Sequence, residues 1–256
     1  MNNIELPNIP DDDVSPFKPD IKWFSWMIGI IIGLTGFCFL FFYGFSYFII
    51  GNLDLAKEKK YFGEYFLKGD YKTFDLSFLN TEIEIPENID IHIIKSDEVN
   101  AFATLGGNIL FTTGLLEELT YEEEFLFILG HEIEHIKNRD VLRGISTQIP
   151  IYMTFMFLGY DIGFSYDTLF NLSSSYLSRK TELKADIGGI NFVKNMDKNT
   201  DCILNFFQNQ ENIFENYLAF SSTHPTSKER IKQISSYSLG DNADFSKCRE
   251  LNFELK

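Results

Sequence analysis

A HExxH sequence at residues 131–135 carries the strongest chemical signal in the chain. Its two histidines, His131 and His135, are four positions apart, so on a helix both imidazoles lie on one face and can bind the same metal ion. Zinc suits such a site, because it takes imidazole and carboxylate ligands and keeps one position open for water in catalytic sites. Glu132 would lie beside that water as its general base. The motif therefore predicts a hydrolytic zinc site, and a polar helix face is the alternative that it leaves open.

The residues around the motif predict a buried helix. Thr120 and Glu123 have the spacing of a capping box at its start, and glutamates at 122–124 place negative charge in the first turn, where the helix dipole favours it. Residues 138–140 mark its end. Apolar residues occupy almost every side of this helix: Phe125, Leu126, Phe127, Ile128, Leu129, Ile133 and Ile136. Because unpaired polar groups are costly inside a protein, a metal ion is the simplest partner for the histidines.

Residues 23–51 predict a single transmembrane helix. No charged residue occurs from Trp23 to Leu53, and about 20 apolar residues are enough to span a bilayer. A cleaved signal peptide fits less well, because the apolar region is long and no small-residue cleavage site follows it. A buried core helix is the other alternative. We expect an anchor of the chain in the lipid bilayer.

The composition limits the rest of the chain. Its 256 residues, 45% of them apolar, suit one domain with a core and an extra segment. Residues 1–22, rich in proline and aspartate, predict a disordered tail, which leaves residues 52–240 for the zinc domain and 241–256 for a C-terminal tail. The net charge of −15 argues against binding of nucleic acid, since little basic charge is available to neutralise phosphates.

A second uncharged stretch runs from Gly144 to Tyr160. It is short, it contains Pro150, and Asp161 and Asp167 follow it, so it does not predict a second span. A core helix and an interfacial segment both remain open. The sequence does not decide whether residues 144–172 contact the bilayer.

Two strand patterns precede the HExxH helix. Residues 89–94 predict one strand, and residues 100–113 predict two short strands around a turn at Gly106 and Gly107. An open strand edge beside the helix can pair with an extended peptide substrate. An ordinary hairpin explains the same stretch equally well.

A third metal ligand has one good candidate. Glu182 and Asp186 are four residues apart and share a helical face. Glu182 can supply the ligand, and Asp186 can accept a hydrogen bond from a ligating histidine. A solvated charged helix is the alternative, and without the HExxH motif it would be the preferable one.

Three motifs in order resemble a known family. The stretches 131–135, 182–186 and 222–231 (Ser-Thr-His-Pro-Thr-Ser-Lys-Glu-Arg-Ile) are similar to motifs of the zinc metallopeptidases that include the CAAX prenyl endopeptidase, HtpX, Oma-type and BepA-like proteases. The resemblance covers about residues 85–235. It implies an α+β, mostly helical, gluzincin-type domain with a small sheet over the active-site helix. It also implies that His131, His135 and Glu182 bind one zinc ion per chain, with Glu132 as general base.

The resemblance assigns further roles outside the ligand set. Asn100 and Ala101 are similar to the edge-strand segment that binds the substrate backbone. His224, which from its surroundings alone is most simply a loop residue, would hydrogen-bond the tetrahedral intermediate or occupy the open zinc position in a resting state. Arg230 would orient this segment or hold a carboxylate.

The chain departs from the family at two points. Glu134 replaces the small or apolar residue usual inside the motif, and its role stays open. Relatives with several spans carry two of them between HExxH and the glutamate ligand, whereas this chain has only the broken stretch 144–172. A prenyl-protease chamber inside the membrane is therefore not expected.

The membrane orientation rests on weak signals. Lysines after the predicted span favour a cytoplasmic catalytic domain by the positive-inside rule. Similarity to single-anchor bacterial relatives favours the extracytoplasmic (periplasmic) side, which we prefer because the lysine difference is small.

Cys38 lies in the predicted span, and Cys202 and Cys248 can pair only if folding brings them together.

Two functional hypotheses follow. The first is a membrane-anchored zinc endopeptidase of protein quality control that hydrolyses unfolded or damaged proteins. The second is a zinc-stabilised, non-catalytic chaperone or adaptor at the membrane. The intact Glu132 favours the first, because a non-catalytic site has no chemical need for a base.

Overall fold

The computed structural model describes residues 21–64, 71–74, 76, 79, 83–159, 178–212, 224, 228–237 and 244–253. Its helices are α1 Ile21–Asn52, α2 Leu55–Phe62, α3 Thr113–Glu118, α4 Glu122–Lys137, α5 Asp140–Phe157, α6 Arg179–Asn195, α7 Ile203–Asn212 and α8 Lys228–Tyr237, with short 3₁₀ turns at Thr200–Cys202 and Phe245–Lys247. Its strands are β1 Tyr71–Thr73, β2 Asp90–Ile94, β3 Ala101–Thr104 and β4 Asn108–Thr112. Most of the predicted N-terminal tail lies outside the described residues.

Helix α1 occupies the predicted transmembrane segment. In the described part of the chain it is the one helix long and apolar enough to cross a bilayer, over Ile21–Ile49 with a mean hydropathy of 2.1. Most of its large apolar side chains are exposed, Trp26 and Tyr47 at 75% each. Exposed apolar surface of this extent needs an apolar environment, and a helix of this length suits a bilayer. The protein is therefore a membrane protein.

Four strands form one small mixed sheet in the order β1-β2-β4-β3. Strands β1 and β2 are antiparallel, β2 and β4 parallel, and β3 and β4 antiparallel, so β3 is an edge strand. The predicted turn at Gly106 and Gly107 joins β3 to β4, and both glycines have positive φ, +86° and +76°. A side chain at Gly106 would also meet the backbone of Gly63 at 2.5 Å. The hairpin thus needs glycine there for conformation and for space.

Helix α4 begins one residue later than its sequence predicts. Tyr121 is the N-cap in an extended conformation, because it forms an isolated antiparallel bridge with Glu250. The backbone N–H groups of Thr120 and Tyr121 therefore donate to Glu124, at 2.6 and 2.8 Å. The predicted box between Thr120 and Glu123 is wrong, and Glu123 instead accepts the N–H of Arg249 at 3.2 Å.

Helices α4 and α6 cross closely and form the centre of the domain. A Cβ on Gly130 of α4 would lie 2.5 Å from Cβ of Phe192 and 3.0 Å from Cα of Gly189, both on α6. Only glycine permits this approach, and it brings the carboxylates of α6 next to the HExxH residues. Strand β3 lies against α4 from the sheet side. This confirms the predicted α+β, mostly helical class with a small sheet over the active-site helix.

The C-terminal segment 244–253 lies against the start of α4. The N–H of Glu122 donates to the carbonyl of Arg249, and that of Leu251 to the carbonyl of Thr120, both at 2.8 Å. A disulfide joins Cys202 to Cys248 across 46 residues of sequence. Folding therefore brings these two cysteines together and fastens the end of the chain to the helical core.

Candidate active site

The two histidines of the motif project from one face of α4 toward a common point. Their Nε2 atoms are 3.0 Å apart, and both residues are 1% exposed. Glu182 approaches from α6, with Oε2 3.6 Å from Nε2 of His131 and Oε1 3.4 Å from Nε2 of His135. His224 completes a group of four residues whose ligand atoms all lie within 4.8 Å of one another. The fold thus assembles the three predicted ligands and adds a fourth donor.

The opposite ring nitrogens of both histidines face carboxylates. Nδ1 of His131 lies 3.1 Å from Oδ1 of Asp186, and Nδ1 of His135 lies 3.0 Å from Oδ2 of Asp140. Carboxylates accept hydrogen bonds, so in the neutral form of each imidazole Nδ1 carries the proton and Nε2 has the lone pair. This arrangement orients both rings for binding a metal ion through Nε2.

Asp140 is a residue of this site that the sequence patterns did not predict. The sequence analysis placed Asp140 only at the end of the HExxH helix, whereas in the structure it is the first residue of α5. Arg139 between the two helices has a left-handed conformation (φ 61°), which turns the chain so that Asp140 returns toward His135. The spacing of five residues is not a helical contact, so helical periodicity gave no signal for it.

The donor set fits a divalent metal ion. Two nitrogen lone pairs and a carboxylate converge in a buried site, and such a concentration of electron density needs a positive charge between the donors. Burial alone would lower the pKa of His135, but hydrogen bonds to Asp140 and Glu182 raise it to about 10. Burial would likewise favour neutral Glu182, yet the neighbouring His224 and His135 hold the pKa of its carboxyl well below the usual range. Without a metal the site therefore retains a proton, and a metal ion would replace it.

Glu132 lies beside this group of four donors. It is fully buried, and its Oε2 accepts the backbone N–H of Ala103 on β3 at 2.8 Å. Its Oε1 faces Nε2 of His224 at 3.3 Å and, among the described residues, accepts no hydrogen bond. One carboxylate oxygen is thus held by the edge strand, and the other faces the group of donors.

The predicted substrate-binding residues lie at the start of the edge strand. The backbone of Asn100 faces the sheet, since its carbonyl accepts the N–H of Thr112 at 3.0 Å. In an antiparallel pair the next residue points its backbone the other way, so Ala101, like Ala103, turns its peptide groups away from β4. Both predicted residues are buried beside α4.

Arg230 of α8 joins the ligand helix to the His224 segment. Its Nε and Nη2 donate to the two oxygens of Asp186 at 2.8 and 2.7 Å, and Nη1 donates to Glu182 at 3.0 Å and to the carbonyl of His224 at 3.1 Å. Burial would raise the pKa of Asp186, but the bonds from Arg230 and His131 lower it. Arg230 therefore keeps Asp186 ionised and fixes His224 at the site. Residues 222, 223 and 225–227 of the predicted motif lie outside the described residues.

Glu134 points away from the cluster. Its side chain lies beside Gly188 of α6, where an added Cβ would be 2.6 Å from Cβ of Glu134, and its Oε1 accepts a hydrogen bond from Asn138 at 2.9 Å. This departure from the family pattern leaves the donor set unchanged.

Comparison with known proteins identifies a family. The model of peptidase family M48 matches residues 76–238. The chain is 25% identical to mitochondrial metalloendopeptidase OMA1 of Arabidopsis thaliana over 166 residues, 60% of this chain and 32% of that protein. It is 34% identical to the beta-barrel assembly-enhancing protease of Escherichia coli (strain K12) over 56 residues, 22% and 12% of the two chains. It is 41% identical to a protease HtpX homolog of Thermodesulfovibrio yellowstonii over 70 residues, 26% and 23%. The chain spans less than half the length of these relatives.

Proposed function

This chain belongs to peptidase family M48, and from that membership we propose that it is a membrane-anchored zinc endopeptidase that cleaves unfolded or damaged proteins. The observation that carries the proposal is the convergence of Glu132 with His131, His135 and Glu182 in one buried site. Two imidazole donors and one carboxylate form the ligand set that zinc takes in catalytic sites with an open position. When bound, zinc would supply Lewis acidity that lowers the pKa of water to about 7.

Residues of the chain itself have the other roles in the proposed reaction. Oε1 of Glu132 takes the proton of the attacking water, while the bond from Ala103 to Oε2 keeps that carboxylate oriented. Asp186 and Asp140 hold the imidazole tautomers that leave Nε2 free for the metal ion. An extended peptide would add along the side of β3 that faces away from β4 and pair with the peptide groups of Ala101, which would bring the scissile bond close to Glu132.

His224 has a role in both states of the site. Its Nδ1 lies 3.2 Å from Nε2 of His131 and 3.3 Å from Oε2 of Glu182, within the donor set. In this position His224 would be a fourth donor to a bound zinc ion in a resting state without substrate. Its Nε2 lies 3.3 Å from Oε1 of Glu132, so this ring nitrogen would donate to the oxyanion that develops when a substrate is bound.

The orientation we propose is extracytoplasmic. The disulfide between Cys202 and Cys248 supports it, because disulfides persist in oxidising compartments and are rare in the cytosol of mesophiles. Digestion of intact and opened cells with an external protease tests it. Cleavage of the catalytic domain only after the cytoplasm is opened would contradict this orientation.

The decisive experiment replaces Glu132 with Gln. The variant keeps the side-chain volume and an acceptor for the N–H of Ala103 but cannot take a proton, so peptide or casein hydrolysis should fall at least about 10²-fold while zinc content and folding are retained. Glu134→Gln is the matched control on the same helix, and it should cleave like the unmodified protein because its side chain faces Gly188. Chelation of zinc should abolish cleavage by the unmodified protein and by Glu134→Gln.

Three results would contradict the mechanism. A folded, zinc-loaded Glu132→Gln protein that cleaves at the original rate would exclude Glu132 as the base. A protein that loses zinc with this substitution would make Glu132 structural. If neither form cleaves any peptide and both suppress aggregation of an unfolded client, the non-catalytic chaperone hypothesis replaces the peptidase.

A further inference from the structure

The second half of α5 has a surface that a water-soluble domain would not expose. From Gly144 to Leu158 the chain contains no charged residue. The first half of this stretch is largely buried, but Ile151, Met153, Met156 and Phe157 are 36–60% exposed, and Leu158 is 42% exposed. Consecutive helical positions differ in direction by about 100°, so residues 156–158 cover most of the circumference of the helix.

Helix α5 runs antiparallel to α1 and packs against it. At its start, Arg139 donates from Nη2 to the carbonyl of Leu53, just beyond the end of α1, at 2.6 Å. Near its other end, Thr154 lines a groove with residues of the middle of α1: Ile31, Ile32, Thr35, Gly36 and Phe39. From Asp140 to Thr154 the helix rises about 21 Å, which is most of the roughly 30 Å hydrocarbon thickness of a bilayer.

The contact between the two helices has the chemistry of a contact inside a membrane. After Met27, the least exposed positions of α1 recur at Thr35, Cys38, Phe42 and Ser46, which form one face of the helix, and three of these four are small residues. The hydroxyl groups are satisfied within their own helices: Thr35 donates to the carbonyl of Ile31 at 2.8 Å and Ser46 to that of Phe42 at 2.5 Å. No hydroxyl in this group therefore needs water.

On α5 a threonine hydroxyl is satisfied in the same way, within its own helix. Pro150 lies inside the helix, and the hydroxyl of Thr154 donates to the Pro150 carbonyl at 2.7 Å. The hydroxyl of Thr154 is thus satisfied within α5 and does not need water, which suits a helix inside lipid.

We propose that the second half of α5, residues 151–158, lies in the hydrocarbon of the bilayer beside α1 and that lipid acyl chains cover its exposed surface. The exposed apolar surface is continuous with that of α1, whose side chains already require lipid. It also extends around the helix rather than forming one groove, so an apolar solvent fits it better than a single protein partner.

This insertion would fix the height of the active site above the membrane. Helix α5 begins at Asp140, which orients His135, and about 16 Å of helix separate Asp140 from Ile151. Arg139 joins the same junction to α2 through an ion pair with Glu58 at 2.6 Å. Two helices that enter the bilayer side by side therefore hold α4 close to the membrane surface.

Single cysteines in the full-length protein test the proposal in phosphatidylcholine nanodiscs, where both bilayer faces are open to reagents. In a Cys38→Ala background with the native disulfide intact, Phe157→Cys is the probe and Tyr61→Cys is the matched control. These positions carry aromatic side chains of nearly equal exposure, 60% and 63%. A membrane-impermeant maleimide should react with position 157 at least about tenfold more slowly, because the reagent and the thiolate are both excluded from hydrocarbon. Met156→Cys repeats the measurement in case one variant folds poorly.

A second readout identifies what covers the helix. A bimane label at position 157 should be quenched by lipids that carry a nitroxide on the acyl chain, whereas the same label at position 61 should be quenched much less. Equal maleimide rates at the two positions would overturn the proposal. Protection at position 157 without quenching would also overturn it, since a second copy of the chain or another protein would then cover α5.

Discussion

Replacing Asp140 with Asn tests whether the junction between α4 and α5 controls metal binding. Asp140 is 5% exposed and His135 1%, so the hydrogen bond of 3.0 Å between them is little screened by water. Asn can still accept from Nδ1 and preserve the tautomer, but it removes the negative charge that makes the opposite Nε2 a stronger donor to the metal. Substitutions of this kind weaken metal binding about 10–100-fold, or about 1.4–2.7 kcal/mol.

The loss of zinc affinity in Asp140→Asn should also depend on pH. The charge of Asp140 also raises the pKa of His135, so at neutral pH a proton competes with zinc for Nε2. Asp140→Asn lowers that pKa and weakens the competition, which offsets part of the loss at low pH. The offset fades as the pH rises toward 10, so the deficit in zinc affinity should be larger at pH 8.5 than at pH 6.5.

Competition titrations with a chromophoric chelator at both pH values measure the effect. Asp54→Asn is the control, because Asp54 caps α2 through the N–H of Lys57 and Asn caps a helix equally well. Unchanged zinc affinity at both pH values in a folded Asp140→Asn protein would refute the reasoning. A deficit that shrinks with rising pH would show that the charge acts on something other than His135.

Three further outcomes are expected. Glu182→Ala should abolish stoichiometric zinc binding, and full retention measured by metal analysis would mean that another residue is the third ligand. Zinc binding at pH 8 should release about one proton, because the pKa of His135 is raised to about 10 in the metal-free site. Calorimetry in buffers of different ionisation enthalpy counts the released protons, and a count of zero would contradict this pKa. Reduction of the disulfide between Cys202 and Cys248, 46 residues apart, should lower the free energy of unfolding by about 4 kcal/mol. Denaturant unfolding curves with and without reductant measure this difference, and coincident curves would show that the disulfide does not form.

Local sequence patterns determined the main chemical groups and the elements that carry them. Residues four apart share a helical face wherever the helix lies, so His131 with His135, and Glu182 with Asp186, could be paired before any fold was known. The same holds for α1, because a long uncharged apolar segment needs an apolar environment in any fold.

Only the tertiary structure decided how these groups meet. The distance from Glu182 to the histidines depends on the close crossing of α4 and α6 at Gly130, which no pattern within either helix encodes. Asp140 reaches His135 because Arg139 reverses the chain in a left-handed conformation, and Tyr121 shifts the start of α4 because the distant Glu250 pairs with it. Periodicity describes a single element, whereas these contacts arise where two elements, far apart in sequence or separated by a turn, come together.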